Sequence, residues 1–176
     1  ALTRDLRAMG IEVSIGHDAA HIADADLLVY TAAVPPSHPE LQAAGERAIR
    51  RGRFLAELMV GHRAVGICGS HGKTTTSWLS GYLLAAGGLD PTVVVGAVVP
   101  ALRGNVRIGD SDIFLAELDE SDESFLLPDL EVAVVNNVES DHLSHYGSFE
   151  QVRAAFQKYA AGVARAGLLI AGIDDP

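Results

Sequence analysis

The stretch Gly66-Ile67-Cys68-Gly69-Ser70-His71-Gly72-Lys73-Thr74-Thr75-Thr76 constrains the fold more than any other part of this chain. An apolar run, Ala64 to Cys68, leads into it, and an amphipathic run follows to about Ala86. Strand, glycine-rich turn and helix is the context in which a loop binds phosphate. Glycines let backbone N–H groups close around phosphate oxygens, and the helix N-terminus adds partial positive charge. Lys73 would reach the terminal phosphates and the Thr74 hydroxyl would ligate Mg²⁺. The string is the short form Gly69-Ser70-His71-Gly72-Lys73-Thr74. The longer phosphate-loop pattern would place glycine at position 67, where this chain has Ile67. The bland alternative is a helix start with a solvated lysine; the flanking strand and helix favour phosphate.

The 176 residues suggest one domain, or one and a fraction, and a hydrophobic content of 48% is enough for a core. A formal net charge of −10 repels nucleic acid and anionic lipid, so neither is expected as a partner, and a nucleotide needs a local cation. Cys68 is the single cysteine, which excludes an internal disulfide; on an apolar strand it reads as a small buried hydrophobe. No apolar run approaches the roughly 18 residues of a membrane helix. Nor does the sequence start on a signal-peptide core, and a cytoplasmic location is expected.

Residues 1–60 read as alternating helix and strand. Helical spacing runs from Leu2 to Met9 and stops at Gly10; Ile11 to Ile15 alternates as a strand does. Leu27 to Tyr30 reads as a buried strand. Pro35-Pro36 marks a turn, and helices are expected over Pro39 to Ile49 and Phe54 to Met59. This is half of a parallel α/β unit. Residues 61–176 form the second domain. Its first helix is expected to bury Trp78, Leu79, Tyr82 and Leu83. Strands are expected at Thr92–Val95, Asp112–Ala116, Val132–Val135 and Leu168–Ala171. Gly96 to Arg103 reads as a flexible connection, and Phe149 to Ala160 as a helix with Val152, Phe156 and Tyr159 on one face.

Three of these strands deliver polar groups just past their carboxyl ends: the loop at 69–75, the acids at 117–122 and Asn137 to His142. In an open parallel sheet ligands bind at that edge. Mg²⁺ takes oxygen ligands, including one or two carboxylates. Glu117, directly at a strand end, is placed for that, or is a solvated loop acid. Asp119, Glu120 and Asp122 belong to an acidic run of the kind usually solvated, unless a helix begins near Ser121. His142 either binds a second metal or a phosphoryl group, or is structural. Asn137 either hydrogen-bonds substrate or holds the loop. His145 and Tyr146 read as loop packing, and His17, His21, His38 and His62 show no partner pattern.

Gly69-Ser-His-Gly72-Lys73-Thr-Thr-Thr76, Glu117-Leu-Asp-Glu-Ser-Asp122-Glu-Ser-Phe125 and Asn137-Val-Glu-Ser-Asp141-His142 together resemble the Mur ligase family. Ala25 to Thr31 and His38-Pro39-Glu40-Leu41 resemble its uridine-nucleotide domain. The resemblance implies a partial Rossmann-like domain at 1–60 and an incomplete P-loop, parallel-sheet ATP-binding domain at 61–176. A first strand and glycine turn upstream, the end of the ATPase domain (near Asp174-Asp175-Pro176) and an amino-acid-binding domain are expected outside this stretch. Carried over by position, Gly69, Ser70, His71, Gly72, Lys73, Thr74 and Thr75 hold ATP. Thr74 and Glu117 hold Mg²⁺, and His142 holds a second Mg²⁺ beside the substrate carboxylate. Lys73, Glu117 and His142 are thus the implied catalytic set. By the same resemblance, His71 favours the members that add L-alanine to UDP-N-acetylmuramic acid together with their tripeptide-recycling relatives, and Phe156, where other members carry a carbamoylated lysine, matches the alanine-adding type. Ser70 stands where Thr is usual, and Asn136 where Thr is common.

The implied reaction is ATP-dependent ligation through an acyl phosphate, in peptidoglycan precursor synthesis. Members that recycle a tripeptide are the alternative within the family. A nucleotide-binding regulatory module without ligation is the alternative outside it. Residues 1–176 alone are expected not to ligate.

Overall fold

The computed structural model describes residues 2–102, 104–141, 143–163 and 167–174, and its contacts divide the chain into two compact units, 1–51 and 52–176. In the first unit, helix α1 (Leu2–Ala8) precedes a short 3-10 turn (Ala19–Ile22), strand β1 (Leu28–Tyr30), helix α2 (Pro39–Ala44) and strand β2 (Ala48–Arg50). β1 and β2 pair in parallel, Leu28 opposite Ala48. Ile11 to Ile15, expected as a strand, pairs with nothing among the described residues, and Ile15 is 77% exposed. The two-stranded sheet offers it no ladder. Nor is β1 buried as expected, since Leu27 and Val29 are both exposed. α2 is shorter than its sequence suggests. Gly45 takes φ 55 and returns its N–H to Leu41 O, which stops the helix and frees Ala48–Arg50 to become a strand.

The second unit begins with helix α3 (Arg51–Leu58), whose Leu55 and the following Met59 pack into this unit's core. That contact groups α3 with the second compact unit. There follow β3 (Arg63–Cys68), α4 (Lys73–Ala86), β4 (Thr92–Val99), β5 (Gly104–Arg107), β6 (Ile113–Glu117), β7 (Val132–Val135), α5 (Leu143–Tyr146), α6 (Phe149–Ala161) and β8 (Leu168–Ala171). The strand order is β5-β4-β6-β3-β7-β8, parallel except for the antiparallel β4–β5 pair. β4 runs four residues beyond the expected strand, into the stretch expected as a flexible connection, and β5, just past that stretch, extends the sheet.

β3 is central, and its alternation divides the core. Ala64 and Cys68 face a cluster with Phe125, Phe156 and Tyr159; Ile67 faces the other cluster with Val93, Val95 and Leu115. Gly66 is needed where α6 crosses: a Cβ there would lie 2.6–2.8 Å from Leu118, Leu130 and the Tyr159 hydroxyl, which donates to Gly66 O at 2.8 Å. α4 meets the sheet through small residues, Ser77 and Gly81, instead of the large apolar ones expected. Leu79, Tyr82 and Leu83 are exposed, while a Cβ on Gly81 would lie 2.6 Å from Val93 Cγ2. The helix sits too close to β4 for a large side chain between them. None of the described helices is long and apolar enough to cross a membrane.

Candidate nucleotide-phosphate site

Because β6 and β7 flank β3, the segments after these three strands leave the same edge side by side. Glu117 is in register with Ile67, and Val135 with Cys68. The hand-over is hydrogen-bonded: Leu118 N–H donates to Ile67 O (2.9 Å), Asn136 N–H to Cys68 O (3.0 Å) and Ser70 N–H to Asn137 O (3.2 Å). The chain from 69 to 72 then turns through two positive-φ glycines. Gly69, at φ 135, has no room for a side chain; a Cβ would meet Asn136 Cβ at 3.0 Å and two backbone nitrogens at 3.1 Å. Gly72, at φ 79, is the N-cap of α4 and offers no side-chain cap. The N–H groups at the start of α4 therefore point into the cleft without an intrahelical acceptor, which is an anion site by construction.

Two asparagines fix the loop's shape. Asn137 Oδ1 accepts from His71 N–H (2.8 Å) while its Nδ2 donates to His71 O (3.2 Å). Asn136 Nδ2 donates to His71 O (3.2 Å) and Thr76 Oγ1 (3.1 Å). Both polar ends of Asn137 are thus used on the loop, which is the second of the two roles its sequence position left open. Ser70 Oγ accepts from Glu139 N–H at 2.9 Å, and His71 Nε2 lies 3.4 Å from Glu139 Oε2.

The cleft, of about 290 Å³, is lined by residues 70–75 and Glu117. At its floor the Thr74 hydroxyl donates to Glu117 Oε2 at 2.9 Å, and Gly96 N–H donates to the same oxygen at 2.6 Å. Two cis ligands of an octahedral Mg²⁺, each about 2.0–2.1 Å from the ion, lie about 2.9 Å apart. The hydroxyl and carboxylate oxygens already have that spacing, so this donor set fits the ion. Gly96 permits the approach, since a Cβ there would stand 2.7 Å from Glu117 Oε1. A hollow of about 400 Å³ between α6 and β8 is mostly apolar and is lined by no acid or hydroxyl.

Lys73 is held by its own loop and by a nearby acid. Its Nζ donates to Gly69 O (2.7 Å) and Glu120 Oε1 (2.8 Å), with Ser70 O at 3.4 Å. Glu120 is 2% exposed, the reverse of the solvated acid its acidic neighbourhood suggests. The neighbouring acids shape the turn: Asp119 Oδ1 accepts from Ser121 N–H and Asp122 Oδ1 from Ser124 N–H. No helix starts at Ser121, only a 3-10 turn at Ser124–Leu126. Tyr146, buried, donates its hydroxyl to Glu120 O. Burial first, then the surrounding carboxylates, push its phenol up and keep it a donor. Burial likewise pushes the Cys68 thiol up, consistent with a packing role. His142, Asp175 and Pro176 lie outside the described residues.

In the comparisons, the profile of the Mur ligase middle domain matches residues 67–176, and that of the Mur ligase family catalytic domain matches residues 1–63. The UDP-N-acetylmuramate–L-alanine ligase of Brucella ovis is 46% identical over 174 residues, covering 97% of this chain and 37% of the relative. The crystal structure of the Thermotoga maritima UDP-N-acetylmuramate–alanine ligase aligns with a TM-score of 0.84 and 29% identity, over 98% of this chain and 41% of that one. A UDP-N-acetylmuramate:L-alanyl-γ-D-glutamyl-meso-diaminopimelate ligase from Neisseria meningitides aligns with a TM-score of 0.85 and 25% identity, over 97% and 60%. The chain therefore spans little more than a third of the length of its curated relative.

Proposed function

Because this chain belongs to the Mur ligase family, we propose that its protein is an ATP-dependent ligase joining L-alanine to the lactyl carboxylate of UDP-N-acetylmuramic acid, for peptidoglycan precursors. The observation that carries the nucleotide half is the open start of α4, with the Thr74 and Glu117 oxygens 2.9 Å apart and Lys73 beside them. The choice of alanine rests on the 46% identity to a relative of that name. The tripeptide reading has a TM-score of 0.85 behind it but only 25% identity, so fold alone does not separate the two.

In this reading residues 1–60 are part of a uridine-nucleotide domain and 61–176 the first part of the ATP domain. The loop from Gly69 to Thr75 wraps the β- and γ-phosphates. Its shape is set beforehand by Asn136 and Asn137, so little reorganisation accompanies binding. The Lys73 ammonium turns from Gly69 O toward phosphate oxygen while it keeps its contact with Glu120. Thr74 and Glu117 hold Mg²⁺, which neutralises phosphate charge when bound. Gly96 N–H orients the Glu117 carboxylate. His142 is assigned to a second Mg²⁺ by its position in the motif. The substrate carboxylate oxygen attacks the γ-phosphorus and ADP leaves. The alanine amine then attacks the acyl carbon, loses a proton, and phosphate departs.

The test uses the full-length protein. ADP release is followed with UDP-N-acetylmuramic acid plus L-alanine or plus the tripeptide, in wild type, Lys73→Ala and Glu117→Ala. L-Alanine should support turnover, Lys73→Ala should abolish it, and Glu117→Ala should raise the Mg²⁺ requirement. Faster turnover with the tripeptide would reassign the substrate; full activity in Lys73→Ala would remove the loop from the mechanism.

A further inference from the structure

The first unit holds a second polar cluster, away from the phosphate loop in sequence, which takes two of its members, His38 and Glu40, from the stretch that resembles the uridine-nucleotide domain. Two short segments make it. Asp18 Oδ1 accepts from Ala20 N–H at 2.9 Å, capping the 3-10 turn that brings His21 back onto Glu40. On the other segment, His38 is extended (ψ 131) before Pro39, and Glu40 follows in the first turn of α2. Proline fixes this entry geometry, so His38 and Glu40 leave the helix start in a set relation.

The imidazole nitrogens of His17 and His38 and a Glu40 carboxylate oxygen all lie within 4.8 Å of one another. The two rings meet edge to face with centroids 4.4 Å apart. His21 Nδ1 lies 3.1 Å from Glu40 Oε1, Asp18 N–H 3.3 Å from it and His17 Nδ1 3.7 Å from it. Among the described residues the His38 ring has no hydrogen-bond partner and Glu40 Oε2 accepts none. Two imidazoles and a carboxylate therefore face one centre with lone pairs to spare.

We propose that His17, His38 and Glu40 bind one divalent cation of the zinc class, with His21 orienting the carboxylate from outside the coordination shell. Imidazole with a single carboxylate suits Zn²⁺ and its borderline neighbours. Mg²⁺ prefers an all-oxygen shell, so this site does not compete for the ion that Thr74 and Glu117 fit. Ligands about 2.0–2.1 Å from a tetrahedral ion stand about 3.4 Å apart, so the three must draw in by an ångström or so. His17 is 69% exposed in its side chain and free to rotate that far. Three protein ligands leave a fourth position for water. The bound ion would tie the segment around His17 to the start of α2, adding to the contacts made by Glu40 and by the His17–His38 ring pair.

The experiment is a Zn²⁺ titration of the full-length protein against a chromophoric chelator, repeated with Co²⁺ to read the visible absorption of a tetrahedral site. One equivalent should bind in wild type and in the control His62→Ala. His21→Ala should weaken binding about 10–100-fold, the usual effect of losing an outer-shell partner. His17→Ala and His38→Ala should weaken it more and remove the Co²⁺ band, and His17→Gln should behave like His17→Ala. Circular dichroism of each variant without metal checks that the unit still folds. No binding in wild type, or equal binding in wild type, His17→Ala and His38→Ala, would overturn the proposal. Because Zn²⁺ binding is read directly, the outcome does not depend on which reaction the protein catalyses.

Discussion

Replacing Glu120 by Gln tests how the phosphate loop holds its lysine. The two side chains differ by one atom in shape, so the change removes charge and leaves the packing. Glu120 is 2% exposed and the Lys73 side chain 18%, with Nζ and Oε1 2.8 Å apart. At an effective dielectric of about 20 that separation corresponds to roughly 6 kcal/mol of attraction, opposed by several kcal/mol of desolvation for each ion. The net value of the pair is therefore small, but removing one partner strands the other; for fully buried pairs that costs about 3–5 kcal/mol. Lys73 retains Gly69 O as an acceptor and some contact with water. We therefore expect Glu120→Gln to cost about 2–3 kcal/mol, below the range for fully buried pairs. Guanidinium unfolding of the full-length protein, followed by a probe in the loop domain, measures it. The cycle with Lys73→Met should give a coupling of about 2 kcal/mol, because the double variant strands no charge. A coupling under about 0.5 kcal/mol would refute the reasoning and make the contact a solvated one.

Gly96→Ala should push the Glu117 carboxylate off the Thr74 hydroxyl, since the new methyl would stand 2.7 Å from Oε1; the Mg²⁺ concentration for half-maximal ATP turnover should rise, with stability little changed. Ser77 is fully buried in α4, and its hydroxyl finds no hydrogen-bond partner among the described residues. Ser77→Ala should be neutral or stabilising by up to about 1 kcal/mol in denaturant titrations. Gly81→Ala should destabilise by about 1–3 kcal/mol despite better helix propensity, because its Cβ meets Val93 at 2.6 Å. The Asp90 carboxyl is held below the usual carboxylate range, first by its hydrogen bond from Arg107 and then by Asp110 N–H. A depressed folded-state pKa stabilises above the unfolded value of about 3.9 and loses that effect as pH falls through the folded value. Asp90→Asn should therefore lower the melting temperature at pH 7, and the gap to wild type should close toward pH 2–3.

The apolar strands, the loop and Glu117 are legible in the sequence because each is a local pattern. Val132–Val135 can hardly be anything but a buried strand, and a Gly-rich turn between strand and helix announces its own geometry. What escapes local reading is whatever depends on a distant partner. Glu120 sits in an acidic run, and its burial is set by Lys73, 47 residues away. Asn105-Val106-Arg107 has no apolar alternation and becomes β5 because it pairs antiparallel with β4, Val106 opposite Val94 and Arg107 opposite Val93. Ile11 to Ile15 alternates correctly yet pairs with no strand among the described residues. On α4 the large residues suggest one face and close approach to β4 selects the other, through Ser77 and Gly81. His17, His21 and His38 are scattered along the sequence and gather around Glu40 only once the turn at Ala19–Ile22 and α2 have formed.

The strand order carries a consequence for how the protein is made. β3 leaves the ribosome well before β6, yet β6 lies between β3 and β4, pairing Arg63 with Ile113 and Phe114 with Thr92. Until residue 117 has been synthesised, β3 and β4 cannot be bridged. The nascent chain then holds a β4–β5 hairpin and a separate β3, each with an unpaired edge. Inserting β6 joins the two pieces and, in the same event, carries Glu117 to Thr74. No partly folded form lacking β6 can carry a finished cleft, so a folding intermediate with an open sheet would be blind to nucleotide, and tight nucleotide binding would report that the middle of the sheet is complete.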